Sequence, residues 1–185
     1  MKTTPTDAHL ARIFYSVLIE QARSHPGQSI RYKELLNRAK RAYPNDEVVQ
    51  SAIPIGIGRR LEVIVQFVRD HHLPPLTCLA VNESGHPGAS YRPVTGSWQT
   101  DMDSVARYDW AEWHDRWETH IDAVKKAATP LKRRTEKAAL ELVHQAFLAK
   151  QIPRVQQDVK AQLVELLKDG LSVEDAAREL HLGAG

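Results

Sequence analysis

Apolar residues in the first quarter of the chain recur at three-and-four spacing. Over residues 8–23, Leu10, Ile13, Phe14, Val17, Leu18 and Ala22 share one side of a helical wheel, which predicts an amphipathic helix with Thr6 or Asp7 as N-cap. His25-Pro26-Gly27 ends it. Gln28 to Arg31 has room for one short strand, and Leu35, Leu36 and Ala39 set a second helix from Tyr32 to Tyr43, closed by Pro44-Asn45. A third helix carries Ile57, Leu61, Ile64, Val65 and Val68 on one face and Arg59, Arg60, Glu62, Gln66 and Arg69 on the rest. After Leu73-Pro74-Pro75, the apolar run from Leu76 to Asn82 predicts a buried strand. Glu83 to Gly88 then reads as a turn, and Ala89 to Arg92 as the second strand of a hairpin.

Polarity changes the pattern after Pro93. Residues 93–104 read as a connector, with a boundary near residue 98 that divides a first domain, 1–97, from a helical extension, 98–185. Trp110, Trp113, Trp117, Ile121 and Val124 then step by three and four along one helix of about 20 residues. Three indoles at that spacing predict an anchor that docks onto the first half or onto a second subunit, since such rings bury large areas. Thr129-Pro130 marks a further helix start, with Ala138, Leu142, Val143, Ala146 and Phe147 running to about Lys150 before Pro153 interrupts. The last helices meet at Asp169-Gly170. Ser172 with Asp175 caps the second, whose Val173, Ala176, Ala177 and Leu180 would face Leu163, Leu166 and Leu167.

The order helix, short strand, helix, helix, hairpin over residues 8–95 resembles the winged-helix superfamily. That resemblance implies an α+β, mostly α fold: a winged-helix-like N-terminal domain with a small β-hairpin, followed by an all-α C-terminal extension. HPGQSIRYKELL and LPPLTCLAVNESGHPGASY also resemble the winged-helix part of DNA alkyltransferases. In that family the acceptor cysteine follows a proline and precedes a histidine and an arginine. Here Thr77 precedes Cys78 and Leu79-Ala80 follow it, so Cys78 is expected in the core rather than as a nucleophile. The stretch from Ile57 to Gly88 is similar as well to an uncharacterised group of bacterial and phage proteins, which supplies no mechanism. QQDVKAQLVELLKDGLSVEDAARELHL resembles the opening of a helix-turn-helix, but Gly183-Ala184-Gly185 stands where a recognition helix would follow. The segment is therefore expected to be a packing or dimerisation unit, with a truncated motif as the alternative.

Composition narrows the classes. Apolar residues at 42% and charged residues at 26% are ordinary for a folded soluble chain, and a lone cysteine makes no internal disulfide. The N-terminal residues lack signal-peptide character and no run reaches membrane-spanning length, so the expected location is the cytoplasm. The net charge of +2 is uneven: residues 1–97 hold 12 Lys/Arg against 8 Asp/Glu, and residues 98–185 hold 13 against 15. The densest basic cluster comprises Lys125, Lys126, Lys132, Arg133, Arg134 and Lys137. No phosphate loop, dinucleotide fingerprint, zinc-spaced Cys/His set or nucleophile elbow occurs, so no cofactor, metal or catalytic residue is assigned. His71-His72 would need a third ligand such as His86 to hold a metal. Asp101, Asp103 and Asp109 form the one carboxylate set that suits a metal-dependent nuclease, a weaker alternative.

These features point to a non-enzymatic DNA-binding regulator or accessory protein of bacterial, phage or plasmid origin, with double-stranded DNA as partner. Arg59 and Arg60 would reach phosphate or base edges from the third helix. His86 and Arg92 would flank a wing tip, and Lys33, Arg38, Lys40 and Arg41 would supply backbone contacts. The role as a nucleic-acid reader rests on Arg59 and Arg60 standing outward beside the turn, clear of carboxylate partners. The alternative is a protein-interaction module of inhibitor or immunity type, or a homodimer through the helical extension. Its contact surface would be the tryptophan stripe or the segment from Leu73 to Gly88.

Overall fold

A computed structural model describes residues 3–88, 91–180 and 182. The chain is mostly α-helical and divides into two compact units, 3–128 and the residues from Thr129 onward. The division lies beyond the expected boundary near residue 98, because the segment after Pro93 folds as part of the first unit.

The first unit is built around α1, Pro5–Ser24. Its cap is Thr4, not Thr6 or Asp7: the Thr4 hydroxyl accepts from the Asp7 amide while the Asp7 carboxylate accepts from the Thr4 amide. α1 is buried on most of its circumference, with Leu10, Ala11, Phe14, Tyr15 and Leu18 all in the core. Around it pack α2 (Tyr32–Ala42), α4 (Ile57–Asp70), α5 (Trp98–Arg107), α6 (His114–Ala127) and a 3₁₀ turn at Leu76–Leu79. A short α3, Glu47–Ser51, capped by Asp46, precedes α4.

One of the expected strands differs from its sequence pattern. Leu76–Leu79 is helical after Pro74-Pro75, and only Ala80–Val81 forms the strand β2. β2 pairs in parallel with β1, Ile30–Arg31, matching Ile30 to Ala80 and Arg31 to Val81. Among the described residues the sheet is therefore a parallel pair, and an antiparallel bridge joins Val81 to Pro87. Ala89 and Ser90 of the expected second strand lie outside the described residues. The turn itself follows its composition: the Asn82 side-chain oxygen accepts from the Ser84 and His86 amides, and Gly85 takes a positive φ of 79°. At Gly88, a Cβ would come within 2.6 Å of the Tyr32 hydroxyl, so glycine lets α2 and the turn approach.

The expected connector contains a helix. α5 begins at the Ser97 cap and buries Met102 and Val105 against the 3₁₀ turn and α1. The tryptophan stripe is split between Trp110, a 3₁₀ turn at Ala111–Trp113 and α6. Trp117 stacks on Tyr15 at 4.2 Å between ring centroids and meets Phe67 edge-on at 5.0 Å. Each ring so enclosed contributes roughly 1.5–3 kcal/mol by burial alone.

In the second unit α7 spans Glu136–Leu148, capped by Thr135 rather than starting at Thr129-Pro130. α8 (Gln157–Lys168) packs on α7, and α9 (Val173–Glu179) starts at Ser172, whose hydroxyl accepts from the Asp175 amide as its sequence predicts. Gly170, with φ 99°, turns α8 into α9 where a Cβ would meet the Lys132 carbonyl at 2.8 Å. This unit's core is small and aliphatic: Ala139, Val143 and Ala146 of α7 meet Leu163, Leu166 and Leu167 of α8 and the alanines of α9.

Candidate functional site

Arg59 and Arg60 face inward. The Arg59 guanidinium lies 2.9 Å from the Asp7 carboxylate, with side chains 8% and 0% exposed. Arg60 is 3% exposed, donates to the carbonyls of Ile53 and Ile55 at 3.2 Å each, and has its Nε 3.8 Å from the same Asp7 oxygen. The reason is local and tertiary at once. Ile57 and Leu61 seat the first turn of α4 against α1, so the two cations between them meet the buried carboxylate at the start of α1. A buried carboxylate without a cation is costly, and two guanidiniums meet that need while tying down the loop before α4. The expected base contacts from this helix are therefore corrected: both arginines are structural.

The remaining basic residues of the expected interface stay near the surface. The run from Arg31 through α2 holds Arg31, Lys33, Arg38, Lys40 and Arg41 against a single carboxylate, Glu34. Arg31, Lys33 and Arg41 are exposed, and Arg38 and Lys40 are half-buried. Glu34 is shared: it accepts from Arg41 at 2.8 Å and from Arg38 at 3.3 Å, and their charge holds its carboxyl below the usual range. Among the described residues, neither Lys33 nor Lys40 has a carboxylate within ion-pair distance. The pairing of Arg31 with Val81 sets this run beside the turn at residues 82–87, where Glu83 approaches Arg31 at 3.9 Å. His86 is exposed on that turn, and Arg92 is exposed with Nη1 donating to the Tyr91 carbonyl at 2.7 Å. α2, its preceding strand and the turn thus bring Lys33, Arg38, Lys40, Arg41 and His86 onto one structural element pair. Arg31 belongs with them, and its place one residue before α2 was the signal in the sequence.

The other candidates have structural duties. Trp110 and Trp117 are 2% and 1% exposed, so they serve the core of their own unit and offer no outer contact surface. Trp113 is partly buried beneath Arg116 at 4.9 Å. Within the segment from Leu73 to Gly88, the residues from Pro75 to Val81 are buried, which leaves the turn and half-buried Pro74 as surface. Cys78 is fully buried, and desolvation pushes its thiol well above the ordinary range. Asp101 is buried and fastens the 91–95 segment: it accepts from the Tyr91 hydroxyl, the amides of Val94 and Thr95 and the Thr95 hydroxyl at 2.5 to 2.9 Å. Those donors hold its carboxyl below the usual range despite burial. Asp103 and Asp109 are exposed, and Asp109 caps the Ala111 amide at 3.0 Å. His71 packs edge-on to Phe67 at 4.8 Å and His86 lies 6.3 Å from Trp98, between ring centroids. In the second basic cluster, Arg134 donates to the carbonyls of Leu167 and Leu171 at the end of α8, and Arg133 stands 3.6 Å from Asp169. Comparison with protein-family models, with curated proteins and with solved structures returns no match.

Proposed function

We propose that the first unit binds nucleic acid through the phosphate backbone, using the basic edge of α2 beside the 82–87 turn, in a cytoplasmic regulatory or accessory role on a winged-helix-like arrangement. The observation that carries this is the surplus of cations from Arg31 to Arg41, five against one carboxylate, on a surface helix. Lysine and arginine at that density meet phosphates without reading bases, and the arginines of α4 that would have read bases are committed to Asp7. Binding is therefore of low sequence preference, with contacts to about three or four phosphates. Fluorescence anisotropy of a labelled random duplex tests it. A rise at about 50 mM salt should fall away as salt is added, with a log–log slope near −3. A flat signal at low salt contradicts the role and favours a protein-interaction module, which draws its own support from the exposed apolar residues of α7.

A further inference from the structure

We propose, building on the phosphate-backbone reading above, that Tyr43 at the end of α2 is a stacking platform for an unpaired base, so that this edge takes single-stranded nucleic acid in preference to duplex. Tyr15 lies in the core, and Tyr32, Tyr91 and Tyr108 pack against it, whereas Tyr43 is 38% exposed. The exposed ring stands on a fixed turn. Its amide donates to the Ala39 carbonyl at 2.9 Å, and its own carbonyl accepts from the Asp46 amide at 3.2 Å and from the Gln50 side chain at 3.1 Å. Gln50 also donates to the Lys40 carbonyl at 2.9 Å, and Asp46 ties the turn to α1 through His9 at 2.7 Å. The backbone that carries the ring is thus set before any ligand arrives, and a platform so held gives up little freedom when a base covers it.

Charge selects the occupant. Lys40 and Arg41 precede the ring in the last turn of α2, and Arg12 of α1, paired with Glu118, is within electrostatic reach of the Tyr43 hydroxyl. Two carboxylates follow it in the chain: Asp46, engaged by His9, and Glu47. Cations on the α2 side and acid on the α3 side direct a polyanion back along α2, where Lys40 and Lys33 meet its phosphates over roughly 15 Å of helix. Every base has a π-face, and an unpaired one is free to lay it on an aromatic ring beside cations. In a duplex those faces are covered by adjacent pairs, so the ring gains nothing there.

Fluorescence anisotropy of the full chain with a labelled oligothymidine of about 12 nucleotides, beside a duplex of the same length, tests this. The single strand should bind more tightly. Tyr43→Ala should weaken single-strand binding about tenfold while leaving duplex binding and both salt slopes unchanged, and Tyr43→Phe, which keeps the ring, should match the wild type. Unchanged duplex binding by Tyr43→Ala also shows that α2 stays folded. A single strand bound no better than duplex, or bound equally by the wild type and Tyr43→Ala, overturns the platform and leaves the phosphate contacts standing. Equal weakening of both ligands by Tyr43→Ala overturns it as well. Binding of neither ligand by the wild type overturns the phosphate contacts and the platform together.

Discussion

Arg59 and Arg60 near the start of α4 and Arg38, Lys40 and Arg41 near the end of α2 look alike as sequence: cations on the polar side of an amphipathic helix. The structure separates them completely. The first pair is held by Asp7, with side chains 8% and 4% exposed, whereas Arg38 and Arg41 share Glu34 near the surface. The difference comes from what stands opposite. α4 begins against the start of α1, where a carboxylate with no exposure requires positive charge, while the outer face of α2 looks onto solvent. A helical wheel shows which side is polar; only the partner 52 residues away shows whether the polar side is a surface.

The largest effect that sharpens this contrast is on stability. Asp7→Ala leaves two guanidiniums without their carboxylate and uncaps α1 in part, which should cost about 3–5 kcal/mol in urea unfolding. Lys33→Ala, on the exposed edge, should stay within about 0.5 kcal/mol of the wild type. Comparable losses from the two would erase the distinction between a structural and a surface basic group.

A smaller effect concerns pH. His120 packs among Phe67 and Trp117, with centroids at 5.2 and 5.7 Å, and its buried Nε2 has no hydrogen-bond partner among the described residues. Burial, with His71 adding to it, lowers its pKa below the ordinary 6.5, against the opposing pull of Asp70 and of its bond to the Val63 backbone. The folded state therefore takes up this proton less readily than the unfolded chain. Stability is full above about pH 6.5 and declines as pH falls through it. Thermal unfolding at pH 7.5 and 5.5 should show a drop that His120→Gln reduces; an equal drop in the variant would assign the dependence elsewhere.

Local signals carried much of the architecture. The stripe of α1, the Leu35-Leu36-Ala39 face of α2, the Asn82 turn and the Ser172 cap all follow from neighbours within a few residues, and each lies where its pattern predicts. The role of the tryptophans as core anchors was legible for the same reason. α5 escaped notice because Trp98, Met102 and Val105, spaced by four and three, sit in a run otherwise rich in Ser, Thr and Asp; the Ser97 cap was the clue. The run at Leu76–Leu79 is apolar throughout, so it has no period by which a 3₁₀ turn could be told from a strand. The arrangement at Asp7 was illegible in principle, since its cations belong to a helix that reaches it only after folding.

The central claim is that charge on α2, and not on α4, meets the nucleic acid. Salt titrations of duplex binding by the wild type, by Lys33→Ala/Arg41→Ala and by Arg116→Ala, an exposed cation on α6, test it most directly. The account predicts that the double substitution lowers the magnitude of the log–log slope by about 2, while Arg116→Ala leaves it unchanged. A slope identical in all three proteins would contradict it.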